Sequence, residues 1–160
     1  MLIEYINHDL GEHDLGDIER DYIPVEWYEV EKKVLHKVSR NGVEVGIRNH
    51  EGRPLRDGDV LWRDRHKALV VEILPCDCIA LKPSTMIEMG KACYEIGNRH
   101  APLFMECGEL LTPFDAPLFK ALGKYGFAVD MKTAKLKTNL GGYARGHSHG
   151  HPHGHAHGYP

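Results

Sequence analysis

The chain has 160 residues, 42% of them hydrophobic and 27% charged, the proportions of a folded soluble protein rather than of a disordered one. A formal net charge of −3 provides no basic surplus for nucleic acid or an anionic membrane surface. Protonating all 12 histidines would turn −3 into +9 and expel any metal that the imidazoles hold.

No apolar run approaches the roughly 20 residues that span a bilayer. Met1-Leu2-Ile3-Glu4 lacks the basic region and apolar stretch of a secretion signal, so the expected location is cytoplasmic. In a reducing compartment Cys76, Cys78, Cys93 and Cys107 are expected as thiols, and their spacing matches no disulfide scaffold.

The sequence predicts an α+β chain in three parts. Residues 1–74 read as a small all-β domain, with strands expected at Val30 to Val38, Val43 to Arg48, Val60 to Arg63 and Ala68 to Leu74. Asn41-Gly42, Glu51-Gly52-Arg53-Pro54 and Asp57-Gly58-Asp59 punctuate them as turns. Asp9, Glu12, Asp14, Asp17, Glu19 and Asp21 lie near His8 and His13 without regular chelate spacing, and read as a solvated acidic loop.

Residues 75–140 follow a different rhythm, the order β-α-β-β-α-β of a ferredoxin-like domain. Cys78 to Leu81 opens the sheet. Thr85 and Glu88 form a capping box, and Met86, Met89, Cys93 and Ile96 recur at helical spacing until Gly97-Asn98, expected as a left-handed stop. Leu103 to Cys107 and Leu110-Leu111 flank Gly108-Glu109 as a hairpin. Asp115 caps a second helix carrying Leu118, Phe119, Leu122 and Tyr125, ended by Gly126, and Phe127 to Met131 closes the sheet. Both helices are expected on one face. Residues 141–160 are rich in glycine and histidine, contain too little apolar material for a core, and are expected as a disordered tail.

The strongest chemical signal is in that tail. His147, His149, His151, His153, His155 and His157 alternate with Gly, Ser, Pro and Ala, which add no competing donor and leave the backbone free to wrap an ion. Imidazole suits Ni²⁺, Cu²⁺ and Zn²⁺, and the divalent affinity order places copper first whatever the spacing, so the tract alone does not select its metal. His100, in the loop Gly97-Asn98-Arg99-His100-Ala101-Pro102, is a second candidate ligand. One imidazole binds weakly, but a two-fold homodimer presents the same residue twice, and tail histidines can fill the remaining positions. Cys76 and Cys78 share one face of a strand, where two thiolates can hold a soft ion. Their apolar neighbours, Leu74-Pro75 and Ile79-Ala80-Leu81, favour buried small hydrophobes instead, and Cys93 and Cys107 read as core.

The stretch Ala92-Cys93-Tyr94-Glu95-Ile96-Gly97-Asn98-Arg99-His100-Ala101-Pro102-Leu103 resembles the signature of the UreE family of urease accessory nickel metallochaperones, and the whole layout resembles theirs. The resemblance implies an N-terminal domain associated with peptide binding and a metal-binding, dimer-forming ferredoxin-like domain. It implies that His100 is the metal ligand at a homodimer interface, with Gly97, Asn98 and Arg99 shaping its loop. It further implies delivery of Ni²⁺ to the urease assembly complex through the urease accessory G protein. Some members carry further histidines after the central hairpin; this chain has Leu111-Thr112-Pro113-Phe114-Asp115-Ala116 there, so those auxiliary sites are expected to be absent.

A metal-dependent hydrolase is disfavoured, because the sequence holds no His-Glu-x-x-His, nucleophile elbow or phosphate loop. The alternative that composition leaves open is a nickel, copper or zinc storage protein unconnected with urease.

Overall fold

A computed structural model describes residues 1–4, 6, 11–50 and 52–141. The predicted α+β class holds: a sheet-rich N-terminal part is followed by a C-terminal domain that combines one sheet with both α-helices. No described helix is long and apolar enough to cross a membrane.

The N-terminal part stacks two three-stranded sheets. One is built from β1 (Leu2–Ile3), β4 (Glu44–Arg48) and β3 (Val34–Val38), with β4 in the middle. The other places β6 (Lys67–Ile73) between β2 (Glu19–Val25) and β5 (Val60–Arg63). Alternation puts Leu35, Val45 and Ile47 of the first sheet against Ile23, Val25, Leu69, Val71 and Ile73 of the second. Each such side chain contributes about 1.5–3 kcal/mol when fully buried.

Two expectations fail here for local reasons. The strand predicted from Val30 begins only at Val34. Before it, Glu29 organises a turn: its N–H donates to the Glu26 carbonyl at 2.9 Å, its carboxylate accepts from the Glu26 N–H at 3.1 Å, and it pairs with Lys37. The acidic stretch is not wholly a solvated loop either, since Glu19 and Asp21 belong to β2, paired in parallel with β6. Asp21 is buried and accepts from Ser39 Oγ at 2.7 Å and the Asn41 N–H at 3.1 Å, so its charge is satisfied inside rather than by water. His8 and Asp9 lie outside the described residues.

The C-terminal domain runs β7 (Cys76–Leu81), α1 (Met86–Asn98), β8 (Phe104–Glu106), β9 (Glu109–Pro113), α2 (Ala116–Lys124) and β10 (Val129–Ala134). The sheet order is β10-β7-β9-β8, antiparallel throughout, the ferredoxin-like arrangement predicted. Ile79, Leu81 and Leu110 point to one face, where Ala92 and Ile96 of α1 and Leu118 and Leu122 of α2 cover them.

The closing strand is displaced from its expected start at Phe127 and reaches Ala134, because Cys76 to Leu81 pair with it along their full length. The hairpin turn also shifts by one residue. Glu106 pairs with Glu109, leaving Cys107 and Gly108 at φ 49° and 79°, and Cys107 is therefore an exposed turn residue, not core.

The opposite face of this sheet, lined by Cys78, Ala80, Phe104 and Leu111, meets the N-terminal part. Trp27 packs against both cores and stacks edge-on to Phe104, with ring centroids 5.8 Å apart. Beside it Asp57, in the turn before β5, accepts from Lys135 Nζ at 3.0 Å, Lys137 Nζ at 2.6 Å and the Ile73 N–H at 2.8 Å. Burial opposes ionisation of Asp57, but Lys137, the Ile73 N–H and Lys135 outweigh it and hold the carboxyl below its ordinary value.

A depressed folded-state pKa means that this clamp stabilises fully above the ordinary aspartate range near pH ~4 and fades as acid protonates the folded form. Asp57→Asn should therefore cost about 1–3 kcal/mol at neutral pH and flatten the acid limb of the stability profile, measured by urea unfolding between pH ~2 and 7. An unchanged acid limb would assign the seam to apolar packing alone.

Candidate metal site

The candidate ligand His100 owes its position to how α1 starts and stops. Thr85 Oγ1 accepts from the Glu88 N–H at 3.1 Å, as the capping pattern predicts. Glu88 reaches one residue further back than expected, accepting from the Ser84 N–H at 2.7 Å and Ser84 Oγ at 2.8 Å. The helix then continues through Gly97 and Asn98, which do not form the left-handed stop.

His100 forms it instead, at φ 55°. Its N–H donates to the Gly97 carbonyl at 2.9 Å, and the Ala101 N–H donates to the Ile96 carbonyl at 3.3 Å. That pair of bonds is a Schellman motif, and Ala101 packs beside Ile96 in the helix-covered core as the motif requires. Helix α2 ends in the same way: the Gly126 N–H donates to Gly123 at 3.0 Å, the Phe127 N–H donates to Leu122 at 3.2 Å, and Gly126 takes φ 87°. At the equivalent position one helix carries the residue suited to it and the other carries histidine, at a cost of about 1–2 kcal/mol.

The backbone thus fixes His100 at the end of α1 while its side chain remains exposed. A helix C-terminus is the negative end of the macrodipole and favours a cation nearby. Next to it the Arg99 guanidinium lies 5.6 Å from the centroid of the Tyr125 ring and reaches the Glu95 carboxylate at 3.3 Å. Tyr125, predicted on the packed face of α2, is instead its cap residue and 56% exposed. Met86, predicted on the packed face of α1, is 90% exposed because it occupies the first helical position, beyond the edge of the sheet. Ile87, Gly90, Tyr94 and Gly97 follow at helical spacing on the outer side of α1, and Ile87 and Tyr94 are 73% and 69% exposed. A groove of about 430 Å³ lies along this side, lined by Gly90, Lys91, Tyr94, Glu95, Tyr125 and Phe127.

Among the described residues no three His, Cys, Asp or Glu side chains converge on a metal position, so His100 belongs to no such cluster within the described chain. His147, His149, His151, His153, His155 and His157 lie outside the described residues, as does the expected tail from residue 142 onward. Cys78 is buried and Cys76 and Cys93 are partly so; burial pushes Cys76 up to about 12 and raises Cys78 and Cys93 as well, which keeps these thiols protonated. Sequence periodicity missed the left-handed backbone at His100 and the exposed ring of Tyr125. The clue available was the match between Tyr125-Gly126 and Arg99-His100, each directly after an apolar helical pattern.

The chain matches two family models, the N-terminal domain of the UreE urease accessory protein over residues 4–74 and its C-terminal domain over residues 76–159. It is 54% identical over 146 residues to urease accessory protein UreE of Acetivibrio thermocellus, covering 91% of this chain and 95% of that one. Identity to the UreE of Flavobacterium johnsoniae is 42% over 141 residues, with 88% and 85% of the two chains covered. With the UreE of Geobacillus kaustophilus it is 38% over 120 residues, covering 75% and 80%.

If His100 is retained for its imidazole and not for its backbone, His100→Gly should raise stability by about 0.5–1 kcal/mol, whereas Gly126→Ala should lower it by about 1 kcal/mol or more. Thermal unfolding of both variants checks this. A destabilised His100→Gly would show that the imidazole supports the fold.

Proposed function

Because the chain belongs to the UreE family of urease accessory proteins, we propose that it is a nickel carrier rather than a catalyst, one that loads Ni²⁺ on imidazoles and hands it to the urease assembly complex through the urease accessory G protein. The observation that supports this reading best is the exposed His100 imidazole, fixed at a helix end and part of no cluster of three or more donors among the described residues. Such a donor is useful to a cation only when further imidazoles are brought to it.

Two sources supply them in this proposal. A second copy of the chain, related by a two-fold axis, contributes its own His100. The exposed Ile87 and Tyr94 on the outer side of α1 provide apolar surface for that contact. The histidines from His147 to His157 complete the coordination and capture the ion first. Imidazole nitrogen suits nickel, and an exposed site exchanges its ion faster than a closed thiolate one, which is what delivery requires. Domain limits of 1–74, 75–140 and 141–160 divide the labour into partner binding, metal binding with dimerisation, and metal capture. Protonation of the imidazoles unloads the ion as the pH falls.

Storage without delivery predicts the same metal uptake but no effect on urease. The discriminating experiment is urease activation in cells deleted for this gene, which extra nickel should rescue if delivery is the role. In isothermal titration His100→Ala should lose the shared site and retain uptake by the tail. Truncation after Gly142 should reduce the number of Ni²⁺ ions bound and leave the dimer intact. Unchanged tight binding by His100→Ala would remove that residue from the site.

A further inference from the structure

Cys76 and Cys78 lie two residues apart on β7, so both side chains leave the same face of the sheet, and their Sγ atoms stand 3.7 Å apart. That face is turned toward the N-terminal part. Cys78 is fully buried with Ala80, Phe104, Leu111 and Leu136, and Cys76 and Trp27 pack against the same cluster half-buried. The Cys78 thiol donates to the Cys76 carbonyl at 3.2 Å. No third His, Cys, Asp or Glu joins the pair among the described residues.

The donor set decides which ion fits. Structural zinc takes four ligands, and nickel prefers nitrogen and oxygen in tetragonal arrangements, so two sulfurs in an apolar wall satisfy neither. A soft monovalent ion of filled d shell is satisfied by two thiolates alone. We infer that Cys76 and Cys78 form a two-coordinate thiolate site for copper(I), separate from the imidazoles proposed to carry nickel.

On binding, each S–H bond breaks, each proton passes to solvent, two S–Cu bonds form and copper stays in the +1 state. The complex carries one negative charge; Lys132, the cross-strand partner of Cys78, favours it, while Asp77 and Glu26 oppose it, so the metal–sulfur bonds themselves must hold the thiolates. A linear S–Cu–S unit spans at most about 4.6 Å, taking the ~2.3 Å zinc–sulfur distance as an upper guide for each bond. Rotation of Cys76, half-buried and first in β7, opens the observed 3.7 Å to that span.

A disulfide fits less well. Cα atoms two apart on a strand are separated by about 6.6 Å, close to the upper limit of ~6.8 Å for a disulfide, so closing the bond would strain a strand held by β10 at both cysteines and by β9 at Cys78. The inference stands independently of the nickel reading.

Anaerobic titration of the full chain with copper(I) against bicinchoninate, followed by the sulfur-to-copper charge-transfer absorption, tests this. One copper(I) per chain should resist the chelator, with affinity falling about 100-fold per pH unit on acidification in proportion to the two protons displaced. Cys76→Ser, at a half-buried position, should weaken retention at least tenfold with unchanged circular dichroism. Cys78→Ala should do the same, while Cys93→Ala and Cys107→Ser leave it intact. Ni²⁺ uptake by Cys76→Ser should equal that of the unaltered chain, and His100→Ala should keep the copper site, so the two sites fail separately. Equal copper(I) affinity in Cys76→Ser, loss of the absorption in Cys107→Ser, or recovery of a chain two hydrogens lighter with its thiols joined would overturn the assignment.

Discussion

The architecture depends on burying both faces of the β10-β7-β9-β8 sheet at once. Successive residues of β7 are divided between two environments: Ile79 and Leu81 lie beneath the helices, while Cys78 and Ala80 press toward Trp27 and Leu136. A slip of one residue would exchange the two sets and place sulfur under the helices. With both faces of the sheet occupied, the outer side of α1 and its C-terminal end have no covering layer among the described residues. The exposed imidazole of His100 and the apolar side chains before it follow from that arrangement.

Backbone geometry and metal chemistry meet at one residue. A helix end needs a left-handed residue to satisfy its last carbonyls, and α2 meets that need with Gly126. Helix α1 meets it with His100 and accepts the conformational cost. The same turn then directs an imidazole outward at a position fixed by two backbone hydrogen bonds, one to Gly97 and one to Ile96. Under the proposed function, a ligand held this way would keep its Cα in place when the metal leaves, which lowers the ordering cost of reloading.

Sulfur and nitrogen donors sit in contrasting surroundings. The Cys76 and Cys78 thiols are enclosed by aromatic and aliphatic side chains at the seam between the two parts, which favours their neutral forms in the absence of a metal. His100 is exposed at the end of α1, beneath no other described element. If both proposals hold, the difference is one of exchange rate as well as softness: an ion on His100 would be open to a partner, whereas one on the thiols would be shielded.

Much of this was legible in the sequence, for identifiable reasons. The helix caps Thr85 and Asp115, the apolar spacing of Met89, Cys93 and Ile96 and of Leu118 and Leu122, and the strand pattern around them depend on contacts within a few residues, so local chemistry determined the ferredoxin-like order. The Gly-Asn-Arg-His segment pointed to the family, and the alternating histidines, outside the described residues, rest for their proposed chemistry on composition alone. Only the tertiary structure decided that Asp21 belongs to a buried strand, that Cys107 and not Glu109 turns the hairpin with Gly108, and that His100 carries the left-handed backbone. It alone brought two thiols to 3.7 Å in an apolar wall and Asp57 to Lys135 and Lys137. Those outcomes depend on which distant segment fills a neighbouring space, and periodicity along one chain contains no information about that.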